Sequence, residues 1–276
     1  MAGPSRTDRL ARWATTLPPT LFLLAFVAAP TAIMVLASFR EPGEFGGLAP
    51  WHGISFEAYR FLLSDVIYAE IFLRSLVVAA LTTVICLLLA YPLAWLIAHS
   101  PARRRDLLVL LVTLPFASNF LIRIYAWMML LGPLNLMFTP WAVMIGMVYV
   151  HLPFMVLPLY VNLERHDLAL LEAARDLGAG AWTRFWRITF PLSLPGVYAG
   201  ATLVFIPVFG MFAVPELLGG TGDILIANLI KEQFLQDRDW PLGSALSILL
   251  TVAVLACVGL AALAARRGLR GTATAS

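Results

Sequence analysis

Apolar residues fall along this chain in six long runs, separated by short polar segments. The runs cover roughly Leu17 to Phe39, Leu73 to Ala98, Leu107 to Leu131, Trp141 to Leu163, Pro191 to Leu217 and Leu246 to Ala265. Each has the ~20 residues a helix needs to cross ~30 Å of hydrocarbon, where every backbone polar group must find its partner within the protein. The pattern predicts six spanning helices. Between them, Ile54 to Asp65 and Ile226 to Phe234 alternate apolar and polar positions at helical spacing, which predicts two short amphipathic surface helices. Prolines inside the runs, at Pro30, Pro92, Pro115, Pro153, Pro158 and Pro207, predict bends.

Composition agrees with a lipid solvent. The 276 residues are 61% hydrophobic and 13% charged, with a mean hydropathy of +0.86. The net charge of +3 is carried almost wholly by arginine, and the arginines cluster beside the apolar runs, which is a topological signal rather than a nucleic-acid footprint. Arg6, Arg9 and Arg12 precede the first run. Arg103, Arg104 and Arg105 lie between the second and third, Arg184 and Arg187 before the fifth, and Arg266, Arg267 and Arg270 after the sixth. The other three connections are acidic or uncharged. Both termini are therefore expected in the cytoplasm, and the first run reads as a retained span rather than a removed leader.

Little in the sequence offers bond-making chemistry. Cys86 and Cys257 sit in apolar runs with no disulfide or metal-ligand spacing, and His151 stands alone in the fourth run. An intramembrane enzyme would need paired carboxylates, a nucleophile with its base, or metal ligands at one depth. The only lysine, Lys231, follows Leu229 and Ile230 rather than a glycine-rich phosphate loop, so the chain has no Walker A sequence. It is not expected to be an enzyme, and no cofactor or metal is expected in it.

The unusual segment is residues 164–190, which holds "EAARDLGAGAWTRFWRI". Leu163, Leu170, Ala174 and Leu177 share a stripe, and Glu172 and Arg175 are spaced to pair. Gly178 and Gly180 can stop a first helix, after which Trp182, Phe185 and Trp186 form an aromatic face flanked by Arg184 and Arg187. A helix, a glycine turn and a helix make a knob that fits a groove on another protein, or else a hairpin lying flat on lipid.

The stretch "EAARDLGAGAWTRFWRITFPLSLPGV" resembles the EAA loop of bacterial ABC importer permeases, with Glu172, Ala173, Ala174 and Gly178 in the matching places. Longer stretches, "FLRSLVVAALTTVICLLLAYPLAWLIA" and "LPFASNFLIRIYAWMMLL" among them, resemble B-type permeases of spermidine/putrescine importers. The resemblance implies one all-α domain over residues 1–276 with six transmembrane helices, the type I (MetI-like) fold, in a bacterial inner membrane. It implies that residues 164–190 are a coupling loop, carried by Glu172, Ala173, Ala174, Gly178, Trp182, Arg184 and Phe185. It further implies a homologous second permease, two ATPase subunits that bind ATP and Mg, and a periplasmic binding protein. No nucleic-acid partner is expected.

A polyamine path needs carboxylates or aromatic faces. Glu216, Tyr125 and Trp127 are the expected candidates, with the alternative that they are ordinary interfacial residues. Arg123 is expected to reach outward or pair with an acid, and Asn119 to bond between helices. Similar permeases carry aminophosphonates or ferric ion, so the cargo is open, and a self-contained channel is the remaining alternative.

Overall fold

The computed structural model describes residues 6–50 and 53–273, and the described residues are helical with no strand. They gather into two units, residues 1–66 with 230–251 and residues 67–229 with 252–276. The first unit holds α1 (Arg6–Leu23), α2 (Ala29–Ser38) and α3 (Glu57–Ser64). The second holds most of α4 (Val66–Ala98), then α5 (Ala102–Thr113), α6 (Phe120–Leu131), α7 (Pro140–Glu164), α8 (Leu168–Asp176), α9 (Ala181–Arg184), α10 (Phe190–Phe209) and α11 (Ala213–Leu218). Two further helices, α12 (Ile226–Leu235) and α13 (Trp240–Ala273), run from one unit into the other.

In the first unit a loop is tied down by its aromatic and polar residues. Phe39 packs against Phe56 and Tyr59 at 5.4 and 5.1 Å between ring centres. Ser38 Oγ lies 2.8 Å from the Tyr59 hydroxyl, and the Arg40 guanidinium donates to the Ala49 carbonyl. The Gly47 N–H donates to the Arg238 carbonyl at 2.7 Å, and Asp239 caps α13 by accepting from Leu242 N–H. Helix α12 covers the segment where an amphipathic surface helix was expected, but Ile226, Ala227, Asn228 and Gln233 are buried, so it packs within protein.

In the second unit α7 is the most enclosed of the long apolar helices. Met147, Met155, Val156 and Leu159 of α7 are fully buried, as is Val204 of α10. Helix α4 buries Ser75, Ala79, Thr82, Cys86, Ala90, Ala94 and Ile97, a stripe at three- and four-residue intervals made almost wholly of small side chains. Small residues on such a face let helix backbones approach where lipid removes the hydrophobic drive for association. His151 is buried with Nδ1 2.9 Å from the Met147 carbonyl, so it is a satisfied core residue.

Among the described residues five helices are long and apolar enough to cross a membrane: Thr15–Ser38, Val66–Ala98, Pro140–Glu164, Ala181–Phe209 and Trp240–Gly259. The third apolar run, expected as one span over 107–131 bent at Pro115, is instead broken. Ala102–Ala117 and Phe120–Leu131 meet at 95°. Pro115 has no N–H for the Leu111 carbonyl, the backbone tightens into a 3₁₀ turn over Leu114–Ala117, and Ser118 becomes extended. Asn119 then starts α6 by accepting from Leu121 N–H at 2.9 Å. Its side chain is a helix cap, not the interhelical link expected of it.

Two other prolines are accommodated without a break. A π-turn over Leu24–Ala28 ends with Ala29 N–H bonded to the Leu24 carbonyl, just before Pro30. A second over Phe185–Thr189 ends with Phe190 N–H bonded to the Phe185 carbonyl, just before Pro191. A proline ring clashes with the carbonyl four residues back, and the wider turn moves that carbonyl aside.

Candidate functional site

Residues 164–190 connect α7 to α10. Glu164, at the end of α7, is held by Arg105 of α5 at 2.6 Å. Asp167 opens α8 by accepting from Ala169 N–H at 3.0 Å. Helix α8 closes in a Schellman motif, with Ala179 N–H donating to the Ala174 carbonyl at 3.0 Å and Gly178 N–H to the Arg175 carbonyl at 2.9 Å. Gly178 has φ +81°, the left-handed geometry that glycine adopts without strain. The sequence spacing thus acquires a geometric meaning. Ala174 supplies the carbonyl that receives the 6→1 bond, and the glycine four residues on supplies the turn.

After the turn, α9, the π-turn and α10 form one helix of 29 residues, Ala181–Phe209. The sequence placed the entry to this run at Pro191; the helix begins ten residues earlier because the π-turn absorbs that proline. The aromatic face splits into two roles. Trp182 and Trp186 are 74% and 47% exposed. Phe185 is half-buried, edge-on to Tyr91 of α4 at 5.4 Å, and Tyr91 bonds Ser193 of α10 at 2.9 Å. Phe185 therefore anchors the loop and the tryptophans face outward. Leu177, at the loop tip, is 89% exposed.

Glu172 and Ala173 are exposed, and Ala174 is half-buried. The expected Glu172–Arg175 ion pair is not made among the described residues. Arg184, expected as an exposed flank, is half-buried with Nε enclosed and unbonded. His166, in the turn between α7 and α8, has its Nε2 enclosed with no partner among the described residues. Burial pushes its imidazole below the usual histidine value; the Leu192 carbonyl opposes this and the nearby His99 adds to it. His99 stacks on Trp95 at 3.8 Å.

The three residues expected along a cargo path are not brought together. Tyr125 is half-exposed on α6, whereas Trp127 packs edge-on against Tyr149 of α7 at 5.3 Å. Two residues apart on a helix, they point to different sides. Glu216 is exposed in the first turn of α11, and among the described residues neither ring bonds to it. Among the described residues Arg123 pairs with no acid, and its side chain is half-buried rather than reaching outward. Its guanidinium lies 6.0 Å from the Phe120 ring centre, and Nε and Nη1 are enclosed without partners. No group of His, Cys, Asp or Glu that could hold a metal occurs among the described residues. The anchor formed by Tyr91 and Ser193 was not read from the sequence, where both residues sit inside or beside apolar runs without a distinguishing pattern.

The fold is that of an integral membrane permease. Over 95% of its length the chain superimposes with a TM-score of 0.74, at 18% identity, on 96% of a chain in the crystal structure of a bacterial ABC transporter involved in the import of the acidic polysaccharide alginate. The chain belongs to the family of binding-protein-dependent transport system inner membrane components, which matches residues 90–267 and so includes the loop. The spermidine/putrescine transport system permease protein PotB of Escherichia coli (strain K12) is 44% identical over 250 residues, covering 84% of this chain and 89% of that protein. The PotB of Haemophilus influenzae is 42% identical over 250 residues, covering 84% and 86%. The chain is thus a multi-pass inner-membrane permease of the ABC importer class, and these relatives are transport proteins rather than enzymes.

Proposed function

We propose that this permease carries a polyamine of the spermidine or putrescine kind from periplasm to cytoplasm, and that residues 164–190 dock an ATPase that drives it. The observation that carries the coupling reading is the exposure of Leu177, Trp182 and Trp186 on a loop whose Phe185 is seated against α4. Such a loop offers an apolar ridge to a partner and is joined without a break to a membrane-crossing helix. The identity to the PotB proteins supports the cargo.

In this reading a second homologous permease completes the pathway, two ATPase subunits bind ATP and Mg, and a periplasmic protein delivers the cargo. The loop and both termini face the cytoplasm. Closure of the ATPases would move the loop and α10 together, and ATP would shift the balance between inward and outward openings by binding one better than the other.

Purification in mild detergent from the native membrane, followed by reconstitution and polyamine uptake, tests this. An ATPase and a second permease should accompany the chain, and uptake should require ATP. A chain that purifies alone and conducts without ATP would overturn the coupling reading. An ATP-driven complex that ignores polyamines but moves another solute would overturn the cargo.

A further inference from the structure

Asn228, in the first turn of α12, is only 8% exposed. Its Nδ2 donates to the Phe212 carbonyl at 3.0 Å. That bond fixes the amide orientation, because the reverse would set two acceptor oxygens against each other. Oδ1 therefore points away from Phe212 as an enclosed acceptor, and no donor reaches it among the described residues. Enclosed acceptors of this kind are rare and call for an explanation.

The amide lies beside the interruption between α10, which ends at Phe209, and α11, which starts at Ala213. Among the described residues no backbone N–H donates to the carbonyls of Phe209, Gly210 or Met211. Pro215, four residues after Met211, has no N–H to offer it. The C-terminal end of α10 adds a partial negative charge. Glu216 places a carboxylate in the first turn of α11, and its N–H shares the Phe212 carbonyl with Asn228 at 3.1 Å. Acceptors without backbone donors thus occupy neighbouring positions at this interruption, which is the chemistry that receives a cation carrying several N–H donors.

We propose that the α10–α11 interruption binds one primary ammonium group of the cargo, with Asn228 Oδ1 and the carbonyls of residues 209–211 accepting its hydrogens. The proposal rests on the polyamine reading and deepens it. Oδ1 is covered in this structure, so the site receives an ammonium only when the chain around it moves aside. Affinity then differs between two states of the transporter, as loading in one and release in the other require. The start of α12 stays fixed meanwhile, because Ser75 Oγ accepts from Ile226 N–H at 2.8 Å.

The test compares Asn228→Leu and Asn228→Asp in the assembled transporter, reconstituted in proteoliposomes, with spermidine and putrescine uptake as the readout. Leucine removes the acceptor and should raise KM about tenfold or more for both cargoes while leaving the maximal rate near wild type, as loss of a hydrogen bond to a charged group does. Aspartate keeps the acceptor and adds charge, so its KM should equal or fall below wild type. Both variants lose the bond to Phe212. Equal damage by the two would mean that only that bond matters, and would overturn the proposal, as would an unchanged KM in the leucine variant. Should the leucine variant fail to assemble, aspartate decides alone, and a raised KM overturns the idea. Absence of polyamine uptake by the wild type would overturn the cargo reading and this proposal together, whereas normal wild-type uptake with unaffected variants overturns this one only.

Discussion

Gly196 of α10 and Asn162 of α7 meet so closely that a β-carbon on Gly196 would stand 2.7 Å from the Asn162 β-carbon. One turn on, a β-carbon at Gly200 would stand 2.7 Å from Met155 Sδ and 3.2 Å from the Met155 carbonyl. The two glycines form a G-x-x-x-G face on which α7 and α10 approach. Gly196→Leu should therefore destabilise the protein by about 1–3 kcal/mol through overpacking. Gly180→Ala, where nothing lies within 4 Å, should not. Thermal unfolding in detergent separates the two outcomes.

The positive φ of Gly178 predicts an order among substitutions. Asn tolerates left-handed backbone, Ala tolerates it less, and Val is strained most, with a β-carbon penalty of roughly 1–2 kcal/mol. ATPase binding should weaken in the order Asn, Ala, Val while membrane insertion stays intact. Equal binding by all three would show that the turn geometry is irrelevant to docking.

Trp182 and Phe185 are three residues apart yet should fail differently. Trp182→Ala removes an exposed side chain, and should reduce ATPase association with little change in melting temperature. Phe185→Ala removes the contact with Tyr91 and should lower stability by about 2 kcal/mol, less than the full cost of a buried aromatic because the ring is only half-enclosed. A melting temperature unaffected by Phe185→Ala would contradict its anchoring role.

The Arg105–Glu164 pair is short but about a third open to solvent, with side-chain exposures of 32% and 34%. Solvent screening holds such a pair to less than about 1 kcal/mol. Glu164→Gln should cost that little, and the difference from wild type should shrink as salt is raised. A loss of several kcal/mol would mean the pair is shielded in the assembled transporter.

His166 gives a pH dependence of defined sign. Its folded-state pKa lies below its ordinary value of 6.5, first because burial disfavours the charged ring. The unfolded chain therefore binds its proton at higher pH than the folded one. The stability contributed by the neutral ring is complete above 6.5 and declines as pH falls through that value toward the lower folded pKa. Melting temperature between about pH 8 and about pH 5 should show this fall, and His166→Gln should flatten it.

Much of this architecture was legible because lipid imposes simple constraints. A run of about 20 apolar residues has few alternatives to a helix, and Gly178 marked its turn because few other residues reach that conformation without strain. What escaped were features decided by three-dimensional neighbours. Asn119 and Pro115 together break the third run, yet neither alone distinguishes a kink from a 95° corner. Phe185 shares composition and spacing with Trp182 and Trp186, and only Tyr91, some ninety residues away, turns it inward. The Gly196–Gly200 spacing was present in the sequence, but an apolar run shows small residues without showing which helix they meet. Tyr125 and Trp127 were both expected along a cargo path, although a separation of two residues sets helical side chains apart.

The π-turn at Phe185–Thr189 inserts one residue more than an α-helix would use over the same rise. Each residue of an α-helix turns the azimuth by about 100°, so a helical wheel drawn without interruption from Ala181 to Phe209 has the wrong phase on one side of the turn. The direction in which Trp182 points is therefore locked to the direction in which Gly196 points by a single supernumerary residue. Removing one residue from 185–189 would take that supernumerary residue away, and with it the wider turn that moves the Arg187 carbonyl clear of the Pro191 ring.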